Sequence, residues 1–123
     1  QLSGGMRKRV SLAQTFVNSP EILLMDEPFS ALDMQTRTVM QDELLQLWAE
    51  SGSSVVFVTH DLEEAIALAD EVIVLTARPA TVKKIYGIEL PRPRVMPGVR
   101  YEDKFIAYAR SIWDDLRADV GMG

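Results

Sequence analysis

The sequence predicts an α/β domain with a mostly parallel sheet and flanking helices, followed by a C-terminal helix. Three observations carry this. The short apolar runs Ile22-Leu23-Leu24-Met25 and Val55-Val56-Phe57-Val58 have the length and character of strands covered on both faces. Between such runs lie segments whose apolar residues recur three and four positions apart, as on one face of a helix. Strand and helix alternate along the chain, the order that builds a parallel sheet through crossover connections.

The elements follow in order. Ser3, Gly4 and Gly5 precede a helical stripe of Val10, Ala13, Phe16 and Val17, with Ser3 placed to cap its first turn. Asn18-Ser19-Pro20 stops that helix, because proline cannot continue it. The strand Ile22 to Met25 ends at Asp26-Glu27-Pro28. A polar loop from Phe29 to Asp33 then enters a helix with Met40, Leu44, Leu47 and Trp48 on one stripe, closed by Ser51-Gly52-Ser53. The strand Val55 to Val58 ends at Thr59-His60. Asp61 caps a short helix, with Glu64 three residues on as in a capping box, and Leu62, Ala65, Ile66 and Ala69 on its buried face. Val72 to Leu75 is a third strand and Val82 to Ile88 a fourth, joined through Arg78-Pro79-Ala80. Residues 1–90 therefore form the α/β part. Residues 91–123 are a proline-containing linker and a helix from about Tyr101 to Asp119, with Phe105, Ala109, Ile112, Trp113 and Leu116 on one face.

Bulk properties narrow the function classes. A chain of 123 residues is one domain or a piece of one. Thirteen basic and eighteen acidic residues give a formal charge of -5, a balance that disfavours nucleic acid as the main partner, because phosphate binding needs a clustered basic surface. With no cysteine, disulfides and thiolate metal sites are excluded. No run of 18 apolar residues is present to span a bilayer. The chain opens inside a glycine turn, without an initiator methionine or a charged-then-apolar leader, so residue 1 is expected to be an artificial or truncated start.

Four short segments could carry chemistry. Two glycines at a helix entrance let backbone N–H groups approach an anion, and the helix dipole adds positive character there. The structural alternative is a flexible turn with a serine cap. Asp26 and Glu27 stand at the carboxyl end of a buried strand, where ligand sites of open parallel sheets lie. One carboxylate there can hold Mg2+ and its neighbour can orient or deprotonate a water. The alternative is a pair of solvated charges. His60, the only histidine, also follows a strand and could bond a phosphate, or simply start a helix. Ser30-Ala31-Leu32-Asp33 could be no more than a helix cap, with Asp33 in that role.

Together, in this order and at these gaps, the segments resemble the ABC-type ATPases. Leu2-Ser3-Gly4-Gly5-Met6 is similar to the family signature, Ile22 to Glu27 to Walker B, Ser30 to Asp33 to the D-loop, and His60 to the switch histidine. The resemblance covers roughly residues 1 to 76. It implies a partial P-loop NTPase fold, with residues 1–90 as the C-terminal part of a nucleotide-binding domain. It further implies ATP and Mg2+ as cofactors, and a second nucleotide-binding domain packed head to tail. By that pattern Ser3, Gly4 and Gly5 contact the γ-phosphate of ATP held by the partner, Asp26 holds Mg2+ through water, and Glu27 polarises the attacking water. His60 contacts the γ-phosphate, and Asp33 couples the two sites.

Two departures stand out. Met6 replaces the usual glutamine of the signature, so no role is carried onto its side chain. No G-x-x-x-x-G-K-S/T occurs in the 123 residues, so these residues by themselves are expected neither to bind ATP tightly nor to hydrolyse it. Thr76-Ala77-Arg78-Pro79, Glu89-Leu90-Pro91-Arg92-Pro93-Arg94 and the aromatic last helix are similar to ATPase subunits of nitrate, sulfonate and taurine importers. That resemblance implies permease subunits and, indirectly, a periplasmic or extracellular solute-binding protein as partners, a peripheral place at the cytoplasmic face of the membrane, and no nucleic acid. The alternatives are a non-catalytic interaction or dimerisation module, a degraded ATPase, or an ABC ATPase outside transport.

Overall fold

The computed structural model describes residues 4–18, 20–75 and 81–121, with side chains from Arg9 to Arg117 within those stretches. Ser3, Ser19 and the expected turn at Arg78-Pro79-Ala80 lie outside the described residues. The chain forms two compact units, Gln1–His60 and Asp61–Gly123. The linker and last helix expected from residue 91 onward lie in the second unit.

In the first unit α1 (Gly4–Phe16) is followed by β1 (Ile22–Asp26), α2 (Met34–Ser51) and β2 (Ser54–Val58). The long connection through α2 lets β2 return parallel to β1, paired from Ile22 opposite Ser54 to Asp26 opposite Val58. α1 packs on α2. Leu12, Phe16, Met25, Phe29, Met40, Leu44 and Leu45 are buried. Both ends of α2 are specified locally. Asp33 caps its start, and Gly52, at φ 73°, takes the left-handed conformation that ends a helix and favours glycine. Ser53 ties the entry to β2 back to the entry to β1 through a hydroxyl bond to the Pro20 carbonyl.

The second unit contains α3 (Leu62–Leu68), β3 (Glu71–Leu75), β4 (Val82–Gly87), a 3-10 turn at Gly98–Tyr101 and α4 (Asp103–Gly121). β3 and β4 pair antiparallel, with Ile73 opposite Ile85. Residues 76–81 are too short a connection for a parallel crossover, which needs a dozen residues or more. The first unit's two-stranded sheet is therefore parallel, and the second unit's two-stranded sheet antiparallel. α4 packs on α3 and on the 3-10 turn.

Two expectations are corrected. The apolar runs predicted strands covered on both faces, yet Ile22 is 73% exposed and Leu24 68%. Register explains the pattern: Leu24 stands opposite Val56 and Asp26 opposite Val58, and these residues share the uncovered face with Ile22. Trp113, placed with Ile112 on the buried stripe of α4, is exposed, whereas Ile112 and Phe105 are buried. Adjacent helical residues point about 100° apart, so only one of the pair can lie at the centre of the packed face.

Candidate functional site

Parallel pairing decides which side chains meet at the carboxyl end of the first sheet. With Asp26 opposite Val58, the chain leaves β1 at Glu27 beside the place where it leaves β2 at Thr59-His60. The Glu27 N–H donates to the Val58 carbonyl at 2.7 Å, extending the ladder one residue beyond the strand. The Glu27 carboxylate meets Nδ1 of His60. The imidazole is 80% exposed and the carboxylate 39%, so the pair is open to a ligand. The Asp26 side chain is exposed one residue earlier.

Glu27 has φ 45°, in the left-handed region that residues with a Cβ seldom occupy. Its surroundings hold it there. Besides the N–H bond to Val58, its carbonyl accepts the Ser30 N–H at 3.4 Å and the Ser30 hydroxyl at 3.2 Å. Phe29, 2% exposed, anchors the same turn in the core, its ring centroid 5.9 Å from that of Phe57.

Asp33 closes the loop as the cap of α2. Its Oδ1 accepts the Thr36 N–H at 2.8 Å and its Oδ2 accepts the Thr36 hydroxyl at 3.0 Å. The Thr36 backbone bond above all, then the Thr36 hydroxyl, holds the Asp33 carboxyl below the usual carboxylate range. Gly4 and Gly5 open α1, where the first N–H groups of a helix have no partner within it. Ser3 lies outside the described residues.

The structure thus brings Glu27 and His60 into contact, with Asp26 adjoining, and gives Asp33 a capping role. Among the described residues no group of three or more His, Asp or Glu side chains could hold a metal ion. One exposed carboxylate beside an open edge suits Mg2+, which keeps most of its waters and takes its other ligands from phosphate. The imidazole has a second nitrogen beyond the one facing Glu27, and only the imidazolium carries donors on both. In that form His60 can bond Glu27 and an anion at once.

Sequence reasoning did not single out Arg37. From the first turn of α2 its Nη2 donates to the carbonyls of Ser30, at 3.4 Å, and Leu32, at 3.2 Å. The signal was a cation near a helix start, where the dipole disfavours positive charge.

The family model described as "ABC transporter" matches residues 1–30. An uncharacterized ABC transporter ATP-binding protein of Methanocaldococcus jannaschii is 49% identical over 98% of this chain and 43% of its own length. The chain belongs to the ABC transporter ATP-binding family. Two further relatives in the family carry more specific names. An aliphatic sulfonates import ATP-binding protein of Xanthomonas axonopodis pv. citri is 52% identical over 76% of this chain and 37% of its own length. A nitrate import ATP-binding protein of Synechocystis sp. is 40% identical over 95% of this chain and 46% of its own length. The chain spans less than half the length of these ABC family relatives.

Proposed function

We propose that the chain is the C-terminal part of the ATP-hydrolysing subunit of an ABC importer, and that the observation carrying this reading is the contact of Glu27 with His60 beside Asp26. In this reading Glu27 orients the attacking water and draws its proton as the water oxygen bonds the γ-phosphorus and the bond from that phosphorus to the bridging oxygen breaks, releasing ADP and phosphate. His60 donates to the γ-phosphate and holds Glu27 in place. Asp26 binds Mg2+ through water, and the ion, when bound, neutralises charge on the phosphate oxygens. Ser3 and the N–H groups of Gly4 and Gly5 face the γ-phosphate of ATP carried by a second, head-to-tail copy. Asp33, beyond capping α2, lies at the contact between the two copies.

The phosphate-cradling loop must come from the rest of a longer polypeptide, for which the greater length of the relatives leaves room. Residues 1–90 are then the C-terminal part of the nucleotide-binding domain, with residues 91–123 as linker and terminal helix. No helix among the described residues is long and apolar enough to cross a membrane. We place the subunit peripherally at the cytoplasmic face, bound to permease subunits that receive solute from a binding protein. The names of the relatives favour a small anion as solute, nitrate or an aliphatic sulfonate.

The test is steady-state ATP hydrolysis by the complete protein. Glu27→Gln keeps the shape of the side chain and removes the base, so kcat is expected to fall about 100-fold or more. Turnover unchanged by this substitution overturns the reading. Residues 1–123 on their own give no turnover in the same assay.

A further inference from the structure

We propose that Arg37 is a positioning residue for Glu27, acting through the backbone of the Ser30–Leu32 loop. The inference rests on the ATPase reading and goes beyond the residues that touch ATP or Mg2+ in it.

The connection runs through named bonds. The Arg37 guanidinium donates to the carbonyls of Ser30 and Leu32, which flank Ala31, and so braces both ends of that turn. Ser30, held from that side, donates its N–H and its hydroxyl to the Glu27 carbonyl. Glu27 is the residue at φ 45°, and its side chain meets His60. A residue in that conformation persists only while its surroundings over-determine it. Removing the brace frees Ser30, and freeing Ser30 lets Glu27 relax toward an ordinary backbone conformation. The carboxylate then leaves His60.

The placement of Arg37 argues the same way. It sits in the first turn of α2, four residues after the Asp33 cap. The helix dipole is unfavourable to a cation there. The two loop carbonyls accept from it there, so the half-buried guanidinium is fixed on the loop by the helix it grows from. Both bonds leave the same nitrogen, Nη2, so one donor atom holds the two carbonyls together.

The experiment compares the complete wild-type protein with Arg37→Ala, Arg37→Lys and Ser30→Ala in ATP hydrolysis and thermal melting. Misplacing the carboxylate should lower kcat of Arg37→Ala by about ten- to a hundredfold, with KM for ATP nearly unchanged. Added guanidinium ion restores part of the rate of Arg37→Ala, and Arg37→Lys, whose ammonium has donors for both carbonyls, keeps more of the rate than Arg37→Ala. Ser30→Ala, which removes only the hydroxyl bond to Glu27, shows a smaller loss of kcat with the same melting temperature. It keeps the test valid if Arg37→Ala does not fold. The proposal is overturned if Arg37→Ala and Ser30→Ala turn over like wild type. It is also overturned if their losses follow melting temperature and guanidinium restores nothing. If Glu27→Gln is inactive while Arg37→Ala is normal, this inference fails and the ATPase reading stands. A wild-type protein without turnover removes both.

Discussion

Tyr86 and Asp115 show how single side chains join elements that sequence spacing leaves unrelated. The Tyr86 hydroxyl, on β4, donates to the Asp115 carboxylate on α4 and reaches the Ser111 carbonyl at 3.4 Å. Lys83 donates to the Asp115 carbonyl at 2.6 Å, and the Lys84 ammonium lies 4.6 Å from the centre of the Tyr86 ring. Burial first, then the bond and the negative charge of Asp115, pushes the phenol up to about 12 from its ordinary 10.0. The folded state therefore holds this proton more tightly than the unfolded chain does. Its contribution to stability is complete below pH 10 and is lost as pH rises through about 12. An ultraviolet phenolate titration of the chain minus that of Tyr86→Phe is expected to show one ionisation near pH 12, moved down by Asp115→Asn. A difference midpoint near pH 10 shows that Asp115 does not hold the hydroxyl. No sequence pattern announces this latch, because its partners are about thirty residues apart. Glu27 and His60 were legible for the opposite reason: each directly follows a strand, and parallel pairing brings those strand ends together. Arg37 was not, since its partners are backbone carbonyls that no residue type reveals.

At the scale of elements, the Pro-Arg-Pro-Arg segment gains a physical role. It read as a stiff linker and a subfamily resemblance, but its arginines close the carboxyl end of α3. Arg92 donates to the Leu68 carbonyl at 2.8 Å and to the Asp70 carboxylate at 3.0 Å. Arg94 is buried, and its guanidinium donates to the carbonyls of Ile66, Ala67 and Ala69 and to those of Ile88 and Leu90. The end of a short helix thus gets donors for its orphan carbonyls and a cation against the negative end of its dipole. Burial, then the nearby Arg92 charge, lowers the Arg94 pKa from its usual value. Arg94→Lys keeps the charge but cannot reach five carbonyls, and leaving buried acceptors unpaired should cost roughly 2–4 kcal/mol. For a unit of this size that lowers the melting temperature by roughly 10 °C or more. A calorimetric scan within a degree or two of wild type would show that the cage contributes little. Strands, helices and both Asp caps were legible because apolar period and cap chemistry are local. That this cage folds the linker onto α3 was not, because composition carries no information on where an arginine reaches.

At the scale of the molecule, the apolar residues left uncovered set the behaviour of the chain in solution. Ile22, Leu24, Val56 and Val58 form one bare face in the first unit. Ile73, Leu75, Val82 and Ile85 form another in the second, with Ile73 directly opposite Ile85. Among the described residues each strand pairs with one neighbour in its sheet, so each sheet also has open edges. Two-stranded sheets are marginal by themselves, and open edges beside apolar faces invite pairing with other chains. Composition could not foretell this, because uninterrupted Val and Ile runs describe a strand covered on both sides whether or not the cover is part of the same 123 residues. Sedimentation velocity of the 123-residue chain is expected to show species that grow with concentration. Leu24 and Val56 are cross-strand neighbours at the centre of the first bare face, so Leu24→Lys with Val56→Lys puts two like charges where a second copy would pack. That double variant is expected to shift the distribution toward the monomer without altering the buried side of the sheet, where Met25 lies. A monomer at every concentration for the unsubstituted chain would mean that the bare faces are not sticky. Association unchanged by the double variant would move the contact to the β3–β4 face, where Ile73→Lys with Ile85→Lys makes the corresponding test.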